Sequence, residues 1–348
     1  MGHSSVEMIH NYYDVSKYLD DTQKTNLKIA LGLTAEDEQR IVGLENETEF
    51  LLMVYLLGWV KEITAIDEGT SPLTNTKSTD FFIDTIDGKR LSVEVKSSRK
   101  DSISFGKKLV QEKKEYSDRQ NRELYFAIKL AGHWMLFSGQ YIVSNHCKIS
   151  VKKDFLNSEL NAIFGERLFL FPKGLEILSI YSKTKDGMGV FHPDYGNAVR
   201  IVIKANKRKV LSITTANQRY LLLSFILENL HDVMSNQVQE ITKLDKDRTL
   251  VLEGFSNDFN LLKLSAFLMA PIKHMIDTST GKAYTFETFR EALKEKDSIH
   301  ISRQEVLNTL VMLDSENYSI EMFLDNKSGY RLHDLQVGTA DVSADDSV

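Results

Sequence analysis

The sequence predicts a mixed fold of helices and strands, in the α/β or α+β class. Alternating apolar residues on either side of Asp87 and Gly88 are typical of two antiparallel strands joined by a tight turn. The apolar run at 50–60 is typical of a buried helix that leads into a strand, and 107–116 has the pattern of an amphipathic helix. Two further strands are predicted at 123–130 and 133–143.

Around the hairpin, the strand pattern places charged residues together. Asp80 is expected to open the first strand, and Glu94 and Lys96 are expected on its antiparallel neighbour. Residues two apart in a strand share a face, so Glu94 and Lys96 lie together while the residues between them face the core. The expected core-facing residues are Leu91, Val93 and Val95. Two carboxylates and one ammonium group therefore converge at one edge of the sheet.

These groups suit the hydrolysis of a phosphodiester bond. The reaction needs hard oxygen ligands for Mg²⁺ or Mn²⁺, a water made nucleophilic near neutral pH, and positive charge beside the phosphorus. Asp80, Glu94 and the carbonyl of Val95 would supply the ligands. Lys96 would orient or deprotonate the water, and it should hold its proton tightly beside the carboxylates while no cation is bound. The competing interpretation of Glu94 and Lys96 is a surface ion pair worth less than ~1 kcal/mol.

The segment resembles the PD-(D/E)xK restriction-endonuclease-like superfamily, and most closely its Holliday-junction-resolvase and Mrr branch. The residues that carry the resemblance are, in chain order, Glu47, Gly58, Asp80, Glu94 and Lys96. Thr79 stands where the family usually has a proline. The resemblance covers roughly residues 40 to 143. It implies an αβββαβ core, a metal-dependent nuclease activity and Glu47 as a third acid.

Two of these acids have competitors nearby. Asn46 to Glu49 also has the pattern of a capping box, with Asn46 as the N-cap and Glu49 reaching back to its amide. That interpretation gives Glu49 a structural task and favours Glu47 as the third acid, with Glu49 in reserve. Asp84 shares a strand face with Asp80, but Asp80 matches the family pattern better.

Basic residues around and after the E-x-K stretch suit contact with a phosphate backbone. Such contact must be local, because a net charge of −6 and a pI near 5.9 argue against a protein that coats nucleic acid everywhere. Gln111 and Tyr116 resemble a glutamine and a tyrosine of some superfamily branches, although a solvated helix face explains them equally. The basic stretch is Lys96, Arg99, Lys100, Lys107, Lys108, Lys113 and Lys114. The expected DNA contacts here are Arg99, Lys100, Lys107, Lys108 and Gln111.

Towards the end of the chain the pattern is helix, turn, helix, hairpin, which is the order of a winged helix. Helices are predicted at 261–276, at 285–294 and from 302, and hairpin strands at 318–324 and 330–332. Arg303 and Gln304 would then face a DNA groove, and Lys327 would lie on the wing. Winged helices also dock proteins, so a protein partner at this domain is the equal alternative.

Length and composition predict two or three domains in a cytoplasmic protein. The single cysteine, Cys147, excludes an internal disulfide framework and a cysteine-rich zinc site. No secretory signal is present, and the apolar run at 50–60 is far shorter than the ~20 residues of a membrane span. The predicted ranges are a nuclease domain at 8–143, an α+β middle domain at 144–255, a winged-helix-like domain at 256–337 and a disordered tail at 338–348.

The sequence therefore predicts a Mg²⁺-dependent DNA endonuclease, with Mn²⁺ as a substitute, that serves restriction or phage defence, recombination or mobile-element processing. Its apolar helices leave room for a homodimer, which would place two sites on a duplex. One rival is the nuclease subunit of two-component transposases, which has a similar domain order but usually lacks an acid at the position of Glu94. An RNA or branched-DNA nuclease and a DNA-binding regulator on a retired nuclease scaffold are the other rivals.

Overall fold

The computed structural model describes residues 5–16, 19–66, 78–172, 175–188, 191–205, 208–216, 237–255, 259–277, 281–295, 303–307 and 321–323. The chain divides into two compact units. The first comprises Met1–Glu166, Arg219–Val233 and Leu264–Asn308, and the second comprises Arg167–Gln218, Met234–Lys263 and Thr309–Val348. The predicted domain ranges stay a prediction; within the first unit, the helices at 264–269 and 286–295 pack on the helix at 35–56.

Three helices open the first unit: α1 (Ser5–Ser16), α2 (Asp21–Leu31) and α3 (Ala35–Leu56). α3 begins at a capping box in which the side chains of Thr34 and Asp37 each accept the other's backbone N–H. The predicted capping box at Asn46 to Glu49 is therefore wrong. Those residues lie in the middle of α3, since the alanine, glutamate, glutamine and arginine residues before them also favour helix.

A five-stranded sheet follows these helices. In chain order, the elements after α3 are β1 (Val60–Ala65), β2 (Phe81–Thr85), β3 (Arg90–Ser98), β4 (Ser102–Ser104), α4 (Lys107–Arg119), β5 (Glu123–Leu130), β6 (His133–Ser138), α5 (Gly139–Ser144), β7 (Lys148–Ser150), α6 (Val151–Asp154) and α7 (Leu160–Phe164). The strand order is β1-β2-β3-β5-β6. Among the described strands of this sheet, β3 and β5 are the one parallel pair, which requires a crossover, and α4 provides it. The mixed class of helices and strands is confirmed.

The turn between β2 and β3 lies at Asp87 and Gly88, as predicted. Gly88 has φ 86°, in the left-handed region that glycine adopts without steric cost. The backbone N–H of Thr85 donates to the Lys89 carbonyl at 3.0 Å and closes the hairpin. The strand predicted at 133–143 is too long, because Ser138 caps α5 and ends β6.

β3 is covered on both faces, so it buries polar as well as apolar side chains. The predicted core residues Leu91, Val93 and Val95 are all buried. Ser92 and Glu94, on the opposite face, are buried too, at 0% and 2% exposure. A carboxylate removed from water in this way requires partners of opposite charge.

The described part of the second unit consists mainly of antiparallel strands. They are β8 (Leu168–Pro172), β9 (Leu175–Ser182), β10 (Phe191–His192), β11 (Gly196–Ala205), β12 (Arg208–Thr214), β13 (Gln237–Lys243), β14 (Arg248–Phe255) and β15 (Phe259–Lys263). A six-stranded sheet has the order β10-β11-β9-β14-β13, with β12 also paired to β11. β8 pairs with β15 in a separate sheet.

The chain then returns to the first unit. Its elements there are α8 (Leu264–Met269), β16 (Ile276–Asp277), β17 (Lys282–Ala283) and α9 (Phe286–Glu295). α9 confirms the helix predicted at 285–294. The helix predicted at 261–276 is confirmed only at Leu264–Met269. Its start is wrong because β15 extends to Lys263, and its end is wrong because a 3-10 turn containing Pro271 follows α8; proline cannot donate a helical hydrogen bond.

A winged helix has no support in the described residues. Residues 303–307 are helical, but β18 (Glu321–Phe323) pairs with β8 of the second unit. The predicted partner strand at 330–332, the wing residue Lys327 and the tail at 338–348 lie outside the described residues. No helix in the described ranges is long and apolar enough to cross a membrane.

Candidate active site

Asp80 lies directly before β2 and is held against β3 by backbone contacts. Its N–H donates to the Val93 carbonyl at 3.1 Å, and its carboxylate accepts the N–H of Val95 at 2.6 Å. The strand register, with Phe81 opposite Val93, explains both contacts. The hairpin therefore brings Asp80 to the E-x-K stretch, where the sequence places it.

The Glu94 carboxylate lies between two ammonium groups. Lys96 Nζ is 2.7 Å from one oxygen, and Lys113 Nζ is 2.6 Å from the other. Lys113 comes from α4, and it also donates to the Ser78 carbonyl. Glu94 and Lys113 are both buried, so a surface ion pair does not describe this cluster. Lys113, included in the basic surface stretch from sequence, is an interior residue that neutralises Glu94.

A pocket of about 520 Å³ opens beside this cluster. Asp80, Val95 and Lys96 form part of its wall, and α3 forms another part. α3 contributes residues three and four apart, which share a helix face: Arg40, Gly43, Leu44, Glu47, Thr48 and Leu51. Glu47 therefore shares a cavity with Asp80 and Lys96, and Glu94 is connected to that cavity through its ion pair with Lys96.

Glu49 has partners on the sheet and, unlike Glu47, does not line the pocket. Its two carboxylate oxygens accept from Lys129 Nζ at 2.6 Å and from Trp134 Nε1 at 2.9 Å. Lys129 also donates to the Asn46 side chain at 3.1 Å. Glu49 therefore ties α3 to β5 and β6, and its structural task comes from this network and not from a helix cap.

This network predicts that Glu49→Ala destabilises the fold. The substitution removes the Glu49 acceptor of the buried indole N–H of Trp134 and leaves Lys129 with Asn46 but without its ion pair, which costs about 1–3 kcal/mol of unfolding free energy. Urea unfolding would measure it, with Glu47→Ala as the matched control that changes stability less and cleavage more. Unchanged stability together with lost cleavage in Glu49→Ala would exchange the roles of the two glutamates.

Asp84, the competitor of Asp80, has a separate structural role. Its carboxylate pairs with the Arg122 guanidinium, which also lies 4.5 Å from the centre of the Phe82 ring. Asp84 does not line the pocket that Asp80 lines. The arrangement favours Asp80 as the acid of the site.

The electrostatics of the site are dominated by burial and by close charges. Burial and the neighbouring Glu94 carboxylate raise the pKa of Asp80 to about 7, against the opposing effect of Lys96. Burial lowers the pKa of Lys96, but the charges of Glu94 and Asp80 outweigh it, so this pKa lies above its ordinary value. Lys96 therefore holds its proton tightly, as predicted for the cation-free protein.

The donor set fits a hard divalent cation. Mg²⁺ typically binds through one or two carboxylates and keeps several waters. Asp80, directly before β2, and Glu94, on the neighbouring β3, supply two carboxylates. Within the described ranges, no three acidic, histidine or cysteine side chains are grouped so that they could hold a metal ion by themselves. Because both Glu94 oxygens are paired with lysines, a cation at Glu94 requires the Lys96 ammonium to move.

The predicted DNA contacts have different surroundings. Gln111 is exposed and donates to Glu115 at 2.8 Å. Arg303 lies over the Trp59 ring, 5.6 Å from its centre, and donates to the Gly165 carbonyl at 3.3 Å. Gln304 is exposed on the short helix at 303–307. Four basic residues are exposed from the end of β3 to the first turn of α4: Arg99, Lys100, Lys107 and Lys108.

Sequence reasoning missed three residues near the site. Lys113 follows no motif, although its position on the helix after the E-x-K stretch could have suggested it. Arg40 lies two helical turns before Glu47, so helical spacing alone could have found it. Arg290 of α9 also lines the pocket, and no local pattern connects it with residues more than a hundred positions earlier.

Comparisons with known proteins do not assign this chain to a family. No protein-family model and no curated protein matches the chain. A Holliday junction resolvase from Archaeoglobus fulgidus is similar in part, with 18% sequence identity over 27% of this chain and 74% of that chain. The TM-score of that match is 0.24, so it carries no argument about this protein.

Proposed function

We propose that this protein is a metal-dependent nuclease that hydrolyses phosphodiester bonds in DNA. The observation that carries the proposal is the convergence of Asp80, Glu94 and Lys96 where β2 meets β3, beside the pocket that Glu47 lines. The order of α3, three strands of the five-stranded sheet, α4 and β5 supports it; the short β4 also precedes α4, but it pairs with β7 in a separate sheet. This is the αβββαβ order that the PD-(D/E)xK resemblance implies.

Each residue of the site has a distinct task in this proposal. Asp80 and Glu94, with the Val95 carbonyl, would hold Mg²⁺ or Mn²⁺. Such a cation, when bound, supplies positive charge to the phosphate and lowers the pKa of water. Lys96, released from Glu94, would donate to the phosphate oxygens and offset the charge that develops there. Glu47 would orient water from the α3 side of the pocket.

Lys113 would act as a positioning residue. It holds one Glu94 oxygen at 2.6 Å from α4, and the Ser78 carbonyl fixes the same ammonium. This leaves the other Glu94 oxygen, now paired with the half-exposed Lys96, as the one available to a cation. An acid buried between two lysines can therefore serve as a ligand through one oxygen only.

The same ion pairs favour one rival, a DNA-binding regulator on a retired scaffold. In that case the two lysines would neutralise Glu94 permanently, and the site would be structural. The pocket argues for the nuclease, because Asp80, Lys96 and Glu47 all reach it and a purely structural cluster needs no cavity. Exposed Arg99, Lys100, Lys107 and Lys108 suit DNA backbone contact in both cases.

A cleavage assay tests the proposal. The substrates are linear, supercoiled, branched and single-stranded DNA, together with RNA, each with Mg²⁺, Mn²⁺, Ca²⁺ or EDTA. We expect DNA cleavage with Mg²⁺ or Mn²⁺, poor cleavage with Ca²⁺, whose looser coordination positions water badly, and none with EDTA. Cleavage of RNA alone would move the activity to the RNA-nuclease rival, and DNA binding without any cleavage would establish the retired scaffold.

A further inference from the structure

The pocket contains two arginines that the proposed chemistry does not use. Arg40 lies on α3, and Arg290 lies on α9, far away in the sequence. Among the ionisable residues of the pocket wall, the cations are Arg40, Lys96 and Arg290 and the carboxylates are Glu47 and Asp80. Lys96 and Arg290 also pair with carboxylates that do not line the pocket, Glu94 and Glu291. The wall itself therefore presents three cationic groups to an anionic ligand, at both ends of its α3 face.

Arg290 is positioned by a chain of hydroxyl groups. Its Nη1 donates to Thr48 Oγ1 at 3.4 Å, and Thr48 Oγ1 lies 2.8 Å from the Tyr13 hydroxyl. The Tyr13 hydroxyl donates a hydrogen bond to the Glu287 carboxylate, with 2.8 Å between the oxygens, since a carboxylate accepts. Thr48 must then donate to Tyr13 and accept from Arg290. This chain ties α1, α3 and α9 together and fixes the guanidinium on the pocket wall.

The Arg290 guanidinium has more N–H groups than its contacts with the described residues use. Nη2 pairs with the adjacent Glu291 at 2.9 Å, and Nε is buried with no hydrogen-bond partner in the described part of the chain. A guanidinium carries five N–H groups, and its planar fork matches the oxygens of a phosphate. The contacts of Arg290 therefore place it on the wall without exhausting its capacity to bind an anion.

Open space separates the two charged regions of α3. Arg40 and Glu47 are seven residues apart, or about 10 Å along the helix axis. Gly43 lies between them on the pocket face, and a Cβ atom added to it would meet no atom within 4 Å. A cavity of about 520 Å³ is in the size range of small-molecule sites, enough for a single nucleotide.

We infer that Arg40 and Arg290 form a second phosphate subsite, which binds the phosphate next to the scissile one on the same strand. The pocket then takes up the nucleotide between the two phosphates, unpaired from its complement. This inference rests on the proposed function, because the first phosphate is placed at Asp80 and Lys96. It adds a substrate class, namely a strand that is single or locally open at the cleavage point.

The test compares two small probes, thymidine 3′,5′-bisphosphate and thymidine 5′-monophosphate, by calorimetry with Ca²⁺ present. The full-length protein should bind the bisphosphate more tightly. Arg40→Met and Arg290→Met should each weaken bisphosphate binding by about 10- to 100-fold, the range for a hydrogen bond to a charged group, and should change monophosphate binding little. Arg119→Met, which removes an exposed arginine outside the pocket, is the matched control and should change neither.

A second pair of variants tests the cavity itself. Gly43→Phe should fill the open space and abolish bisphosphate binding, whereas Gly43→Ala should retain it; both should unfold at or above the wild-type temperature, because glycine disfavours helix. Equal bisphosphate binding by wild type, Arg40→Met and Arg290→Met would overturn the subsite, even if all three cleave DNA. If Arg40→Met and Arg290→Met lose the bisphosphate preference but the wild type cleaves no substrate, the subsite is retained and the proposed nuclease is overturned.

Discussion

Asp80→Asn is expected to abolish cleavage and, at the same time, to make the cation-free protein more stable at pH 8. Asparagine keeps the shape of the side chain and can still accept the Val95 N–H, but it is a much weaker cation ligand. The loss of cleavage should be at least on the order of 10²-fold. The gain in stability arises because Asp80 is buried beside Glu94, where its negative charge is unfavourable.

The sign of the stability effect follows from the pKa. In the folded state burial and Glu94 raise the pKa of Asp80 from 3.8 to about 7. The unfolded chain therefore loses this proton at lower pH than the folded one, and Asp80 reduces the unfolding free energy as pH rises from about 4 to about 7. Asparagine does not ionise, so Asp80→Asn avoids this fall in the unfolding free energy. The gain should reach a few kcal/mol at pH 8 and be small at pH 4, since each pKa unit is worth about 1.4 kcal/mol.

Urea unfolding at pH 4 and pH 8, together with a cleavage assay, measures both effects. Asp84→Asn is the matched control, because Asp84 pairs with Arg122 outside the pocket. That variant should retain cleavage and should not be stabilised, because it loses the ion pair with Arg122. Full cleavage by Asp80→Asn would remove Asp80 from the site, and lost cleavage in Asp84→Asn alone would move the role to Asp84.

The parts of the fold that the sequence predicts correctly depend on near neighbours in the chain. The turn at Asp87 and Gly88 has a local conformational cause, and it determines the register that brings Asp80 to β3. Helix α9 and Gly58, which follows α3, are likewise local features. Residues two apart on a helix lie on different faces, so helical spacing separates Glu47 from Glu49. Only packing shows that Glu49 contacts Trp134 while Glu47 lines the pocket.

The parts that the sequence does not predict depend on distant contacts. Lys113 has the surroundings of a basic surface helix in the sequence, yet α4 crosses over the sheet and buries it against Glu94. The apolar pattern at 261–276 suits a helix, but pairing between β15 and β8 turns its start into a strand. Arg290 reaches the pocket because α9 packs on α3, a contact between residues about 240 positions apart. Local periodicity contains no information about such contacts.

Removal of the cation and removal of Lys96 are expected to stop cleavage by different routes. Cleavage should be absent in EDTA and return with Mg²⁺ or Mn²⁺. Lys96→Ala should lose cleavage on the order of 10²-fold even with saturating Mg²⁺, because it removes positive charge at the phosphate. Its Mg²⁺ affinity should persist, since lysine is not a ligand and its ammonium competes for a Glu94 oxygen. Asp80→Ala should lose both cleavage and Mg²⁺ binding.

Calorimetric titration with Mg²⁺ separates these routes and adds a pH dependence. At pH 6 Asp80 is mostly protonated in the cation-free protein, because its pKa is raised to about 7. A cation must displace that proton, so Mg²⁺ affinity should rise about tenfold between pH 6 and pH 8. In Lys96→Ala the rise should move to higher pH, since Lys96 opposes the upward shift of the Asp80 pKa. Equal loss of Mg²⁺ binding in Asp80→Ala and Lys96→Ala, or cleavage that persists in EDTA, would contradict a site of two carboxylates and one lysine.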